Sequence, residues 1–431
     1  MASVLQSIFP RYCMKWLLDL LHALTLWLDS STTETPHRVA EASHAVKWER
    51  FSTIQRSVLE TIARQDNETQ YAPDMSNDIS DDSPLGKLRH VANITSTLQS
   101  VLRIVADPSG RQFVAKFVSD CYAKYRGKTD HSNLVEYSIQ AALNDTGIAP
   151  KVYFMSPPAP IVRGFPMKAR STLMATSAEE CIQFKPELRM IVMDIAGPSV
   201  NAYLSYLGTR LGLSAVYFRA ALRIALKTLT LIESLHSHGV VHGDIHGGNI
   251  VFRVQKKMDK YNLDTDELIL IDFGMASFFP DALMSPEDVL FDNSANPRMM
   301  TPWQLVGKRY GRRDDVFKLL GLVAFVLSNG KVDAAVAELL TGSNPMPTAT
   351  HSSASIKKAW QEYKSRYSLF IPNEYFRSGC CVATGLVDQS LRKLHISLEM
   401  LVEHVRAINH PDDEPNYAFI SGAFRSIIQS F

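Results

Sequence analysis

Two short stretches of this chain bring hard oxygen donors together at tight spacing. The first is His242-Gly243-Asp244-Ile245-His246-Gly247-Gly248-Asn249. The second, Asp272-Phe273-Gly274, follows Asp244 by 28 residues, at the end of the apolar run Leu268-Ile269-Leu270-Ile271. Transfer of a phosphoryl group needs one carboxylate to orient an attacking hydroxyl and take its proton, and further oxygens to hold magnesium on the phosphates. Asp244 suits the first task, and Asn249 and Asp272 suit the second. Upstream, Lys116 ends the run Phe113-Val114-Ala115-Lys116, and Glu136 follows 20 residues later. A strand lysine for the phosphates and a helix glutamate to fix it are the remaining parts of such a site. His242, Asp244 and His246 are also metal-ligand residue types, which would suit a metallohydrolase. That alternative leaves Asp272, Lys116 and Glu136 without a task.

These residues need a scaffold, and the apolar patterning indicates one. Short β-type runs at Ser100 to Val105, Gln112 to Val118, Lys151 to Met155 and Arg189 to Asp194 are interrupted by a single helix around Asn133 to Leu143. After Ala202 the pattern is helical, apart from strands near Ile250 to Val254 and Leu268 to Ile271. Strands followed by helices indicate an α+β protein with a small sheet lobe and a larger helical lobe. Residues 156 to 188, with three prolines by Pro160, read as an inserted surface loop, and residues 254 to 267 as a surface hairpin tip without a catalytic task. His236 and His238 read as polar residues at a helix end, and His242 as a packed histidine.

Length and composition agree with an ordinary globular chain. Of 431 residues, 46% are hydrophobic and 21% charged, and the net charge of +1 gives no footprint for nucleic acid. The five cysteines form no CxxC pair, which argues against a disulfide framework and a cysteine zinc site. Residues 43 to 65 carry apolar side chains at three- and four-residue steps, an amphipathic helix within an N-terminal extension spanning residues 1–65. Residues 66–84 hold six acids and no Lys or Arg, the composition of a flexible linker. The apolar stretch Trp16 to Leu28 is either a secretory signal or membrane anchor, or an amphipathic helix docking on the body. Membrane association would run through residues 1–30. A cytoplasmic or nuclear setting is favoured, with secretion or anchoring as the alternative.

In this order and spacing the motifs resemble a eukaryotic protein-kinase domain over residues 85–431. Ile191-Val192-Met193-Asp194-Ile195-Ala196-Gly197-Pro198-Ser199, Arg312-Arg313-Asp314-Asp315-Val316 and Asp412-Asp413-Glu414-Pro415-Asn416-Tyr417, with Phe424 beyond, are similar to segments of the casein kinase 1 and vaccinia-related kinase branch. The resemblance implies a bilobal fold, with a β-rich N-lobe over residues 85–195 and a helical C-lobe over residues 196–431. It implies ATP and Mg2+ as cofactors, a protein serine or threonine as acceptor, and a monomer. Lys116, held by Glu136, would position the phosphates; Met193 would be the gatekeeper; Asp194 and Ala196 would meet the adenine. The phosphate-covering turn would fall on Ile94 to Val101, with Ser96 and Val101 among the nucleotide contacts. Asp315 would brace the catalytic loop.

Three departures bear on activity. The turn from Ile94 to Val101 contains no glycine, although glycine lets backbone amides approach phosphates. Gly243 stands where many kinases have an arginine. His246 stands where protein kinases usually carry a lysine, and it is a weaker cation at neutral pH. A serine/threonine protein kinase is therefore the leading expectation. A pseudokinase acting as a binding module and an aminoglycoside-type small-molecule phosphotransferase are the alternatives.

Overall fold

The computed structural model describes residues 78–79, 83–96, 100–119, 132–156, 159–160, 187–212, 214–279, 301–305, 310–327, 388–411 and 413–430. The expected N-terminal extension, most of the acidic linker, the turn residues 97–99 and most of the 156–188 loop lie outside them.

The N-terminal lobe is a seven-stranded antiparallel sheet. Its strands are β1 (Asp78–Ile79), β2 (Leu88–Ser96), β3 (Ser100–Ala106), β4 (Gln112–Ser119), β5 (Val152–Met155), β6 (Ala159–Pro160) and β7 (Glu187–Met193). They lie in the order β1-β2-β3-β4-β7-β5, with β6 also on β7. Two expectations move. β1 pairs with Leu88 and Arg89, so the sheet begins inside the stretch read as linker. Of the turn expected from Ile94 to Val101, residues 94–96 and 100–101 are strand, and residues 97–99 lie outside the described residues. β2 continues through Ser96, which pairs with Val101, and two irregularities near Ala92 and Thr95 bend the strand.

Register sorts the sheet's two faces, because directly opposed residues share a face. Phe117 lies opposite Val101 and Met190, and these residues join Leu88, Val105, Phe113, Ala115 and Val192 in a small core behind the sheet. Lys116 lies opposite Leu102 and Ile191, and Val114 opposite Ile104 and Met193. That second face looks onto helix α1 (Ser132–Ala142) and the rest of the molecule.

The larger lobe is built on α2 (Val200–Leu211) and α3 (Ala215–Ser237), each started by a serine N-cap, Ser199 and Ser214. Strands β8 (Val240–Val241), β9 (Ile250–Phe252), β10 (Leu268–Leu270) and β11 (Ser277–Phe278) form two small ladders, β9 on β10 and β8 on β11. Among the described residues, helices α4 (Pro302–Leu305), α5 (Arg312–Leu327), α6 (Asp388–Arg406) and α7 (Tyr417–Gln429) follow. One core joins these helices to the face of the sheet that bears Lys116. This is the bilobal α+β fold of the protein-kinase class. Among the described residues no helix is long and apolar enough to cross a membrane.

The loop between β9 and β10 is more than a surface tip. Tyr261 and Leu263 are buried in it, and the Tyr261 ring stacks on Phe252 with 4.2 Å between centroids. The Tyr261 hydroxyl donates to the Val254 carbonyl at 3.0 Å and presses on Gly197, in the strap between the lobes. The strap in turn bonds β9, from the Gly197 amide to the Phe252 carbonyl at 2.7 Å. A Cβ on Gly197 would stand 2.7 Å from both the Tyr261 hydroxyl and the Val254 carbonyl, closer than packed atoms tolerate. Gly197→Ala should therefore lower the stability of the protein by about 1–3 kcal/mol, read as a drop in the thermal midpoint. An unchanged midpoint would show that the strap yields freely.

Candidate active site

The site is assembled around a lysine that reaches both lobes. Lys116 on β4 places Nζ 2.5 Å from Glu136 Oε1 of α1 and 2.9 Å from Asp272 Oδ1 at the end of the β10 segment. Burial by itself would lower the lysine pKa, but the charges of Glu136 and Asp272 outweigh it and push it well above the ordinary range. Asp272 shows the reverse balance: burial would raise it, and the adjacent Lys116 holds it below the usual carboxylate range. Both groups are therefore charged at neutral pH. Among the described residues Asp272 is the one non-glycine residue in the left-handed region, with φ 65° and ψ 71°.

The loop after β8 holds the second carboxylate. Asn249 donates from Nδ2 to the Asp244 carbonyl at 3.0 Å and to Asp244 Oδ2 at 3.1 Å, and its Oδ1 accepts from none of the described residues. His246 Nε2 lies 3.5 Å from Asp244 Oδ2, and Lys318 Nζ from α5 lies 3.8 Å from Asp244 Oδ1. Burial would raise Asp244, but the His246 hydrogen bond and the Lys318 charge bring it down to about 2. Asp244 is therefore ionised at neutral pH.

The loop backbone is held from below by Asp315, which is fully buried. Asp315 Oδ2 accepts the His242 amide at 2.7 Å and His236 Nε2 at 3.0 Å; Oδ1 accepts the Gly243 amide at 3.1 Å and the Tyr310 hydroxyl at 2.5 Å. His236 is thus not simply a helix-end polar residue. Its other nitrogen meets the Tyr417 hydroxyl at 2.5 Å, tying α7 to the loop, a link invisible to local patterning because 181 residues separate the partners. His242 is buried, and its ring donates to the Ile271 carbonyl at 3.1 Å while accepting the Asp244 amide at 3.2 Å. Both ring nitrogens are engaged with backbone, so His242 has no lone pair for a metal. Among the described residues no group of three or more His, Cys, Asp or Glu is placed to hold a metal ion. The metallohydrolase alternative therefore has no assembled site. Gly243 has φ 81°, and a Cβ there would run into the Met275 backbone, so the side chain usual at this position in kinases has no room.

The other expected nucleotide contacts divide. Met193 is on the Lys116 face, nearly buried, with Gln140 Nε2 3.6 Å from its sulfur. Ala196 lies in the strap between the lobes. Asp194 points elsewhere: its carboxylate accepts the Tyr153 hydroxyl at 2.9 Å and pairs with Arg111 at 3.1 Å, and its amide is bonded to the Lys151 carbonyl. Val101 is a correction. Being opposite Phe117, it packs behind the sheet, away from Lys116. The apolar side chains of β3 on the Lys116 face are Leu102 and Ile104, both half-buried. The pairing register of β3 with β4 identifies them. Ser96 sits in the ladder rather than in a turn.

Asp314 anchors the segment that re-enters after residue 300. It accepts the Thr301 hydroxyl and, at 2.9 Å, the Gly311 amide. Burial outweighs these bonds and raises Asp314 to about 6. Between the unfolded carboxylate value near 4 and this folded value the native state holds the extra proton, so stability falls as pH rises through that window. The span corresponds to roughly 3 kcal/mol at most. Asp314→Asn should flatten this decline, measured as thermal midpoints from pH 4 to 7. An equally steep decline in the variant would place the proton elsewhere.

Comparison with known proteins places the same region among kinases. Residues 221–285 match the ABC1 atypical kinase-like domain, a stretch running from α3 through the Asp244 loop and Asp272. Casein kinase I homolog 1 of Saccharomyces cerevisiae is 29% identical over 144 residues, 33% of this chain and 25% of the yeast protein. Calcium-dependent protein kinase 1 of Arabidopsis thaliana is 32% identical over 112 residues, covering 26% of this chain and 16% of the plant protein. Nucleosomal histone kinase 1 of Drosophila melanogaster is 31% identical over 99 residues, covering 23% and 15%. The chain thus spans about a quarter or less of the length of these relatives. The fold is kinase-like.

Proposed function

We propose that this kinase-like chain is a serine/threonine protein kinase with affinities to the casein kinase 1 branch, transferring the γ-phosphoryl of Mg-ATP to a protein hydroxyl. The observation that carries the reading is the three-way contact of Lys116 with Glu136 and Asp272, two charged pairs that close a strand, a helix and the β10 end onto one point. A binding module has no chemical need for this set, nor for Asp244 and Asn249 beside it.

In this reading Lys116 neutralises charge on the α- and β-phosphates while Glu136 keeps it from collapsing fully onto Asp272. Leu102, Ile104, Val114 and Met193 offer the apolar surface for the base, and the strap at Ala196 supplies backbone groups along its edge. Asp272 and Asn249 Oδ1 are hard oxygen donors of the kind magnesium takes, with phosphate oxygens and water completing its shell. Bound there, the metal would neutralise charge developing on the transferred group. Asp244 orients the acceptor hydroxyl and takes its proton. Catalysis of this kind is mostly positioning and charge neutralisation, so losses at single residues are severe.

Radiolabelled phosphate transfer to casein and to the chain itself, with magnesium-ATP binding followed by thermal shift, tests the proposal. Wild type should be stabilised by Mg-ATP and should transfer phosphate. Asp272→Asn and Lys116→Met should each reduce transfer by at least about a hundredfold while remaining folded. Stabilisation without transfer by the wild type would favour the pseudokinase. Transfer only to an aminoglycoside acceptor would favour the small-molecule enzyme.

A further inference from the structure

Helix α5 buries Val316, Phe317, Leu319 and Leu320 almost completely, and in their midst stands a lysine. The Lys318 side chain is only 9% exposed, and its Nζ donates to the Gly243 carbonyl at 2.6 Å and lies 3.8 Å from Asp244 Oδ1. The charged groups acting on it are Asp244, Asp315 and Asp314, and the Tyr310 ring lies 5.1 Å from Nζ. Burial lowers its pKa, with those three carboxylates opposing, so the fold carries an ammonium group in an unfavourable place. Asp315 already collects four donors without it. Asp244 is the carboxylate that Lys318 serves.

The loop's own basic residue cannot fill this place. His246 accepts the Gly248 amide at Nδ1, 3.0 Å away. Its Nε2 lies 3.5 Å from Asp244 Oδ2, whereas Lys318 faces Oδ1.

We propose that Lys318 is a positioning residue for phosphoryl transfer, its ammonium clamping the Gly243 carbonyl and the Asp244 carboxylate so that α5 holds the loop at the oxygen His246 does not reach. The proposal rests on the kinase reading for its kinetic consequence, but not for the contact with Asp244.

Full-length Lys318→Met, Lys318→Arg and the double variant Lys318→Met/His246→Lys provide the test. Methionine fills a similar volume without charge and should fold. Lys318→Met should lose about a hundredfold in kcat for casein with KM for Mg-ATP within about twofold of wild type. Lys318→Arg, and a lysine returned at position 246, should each recover at least about tenfold of that loss, which a merely structural role would not allow. An unchanged kcat in Lys318→Met, or no recovery in either rescue, would overturn the assignment. If the wild type binds Mg-ATP but transfers nothing, the kinase reading fails by itself. Peptide-level hydrogen exchange across residues 242–249 then decides the question: faster exchange in Lys318→Met with the rest of the chain unchanged supports the clamp, and unchanged exchange there removes it.

Discussion

A carboxylate with no access to water must collect donors or lose its charge, and Asp315 meets that constraint by gathering the loop around itself. Two of its partners are backbone amides, at His242 and Gly243, immediately before Asp244. The position of Asp244 is therefore fixed by the solvation needs of a group beneath it. The hydrogen bond with His236 is the leading stabilising influence that keeps Asp315 ionised against burial. His236 is engaged in turn by Tyr417, so α7 belongs to the support of the loop although it is far away in the chain.

Lys116 plays the corresponding part between the lobes. β4 and α1 belong to one lobe and Asp272 to the other, and one ammonium group binds all three. Its side chain is 12% exposed and that of Glu136 4%, so their attraction is little screened, whereas the Asp272 side chain is 45% exposed and remains accessible to a ligand. The lysine contact least protected from solvent is thus the one that an incoming phosphate would have to share.

Much of this is legible in the amino-acid sequence alone. The Lys116, Glu136, Asp244, Asn249 and Asp272 set stands out because each residue sits in a short motif with local punctuation, and the alternating runs locate β3, β4 and β7 to within a few residues. What local pattern does not carry is register and distance. Val101 and Leu102 differ by one position, yet strand alternation sends them to opposite faces. The pairing of Asp78 and Ile79 with β2 lies in a stretch whose acidic composition reads as linker. Lys318 is surrounded by apolar neighbours in a helical run, and nothing in that run shows that its ammonium group reaches Gly243, 75 residues earlier.

The backbone at Asp272 shows how these supports act together. A left-handed conformation costs a non-glycine residue roughly 1–2 kcal/mol, so it persists only where the surroundings leave no alternative. On one side the carboxylate is held by Lys116; on the other, the next residue, Phe273, is buried with its ring 4.9 Å from that of His242. His242 is fixed through both nitrogens, to Ile271 just before Asp272 and to Asp244 in the loop after β8. The strained turn, the packed histidine and the loop carboxylate therefore form one mechanical unit. Gly243 belongs to it as well, since its missing side chain is what lets the Met275 backbone lie against the loop. A substitution that restored a larger residue at 243 would push on Met275, and through it on the turn that aims Asp272.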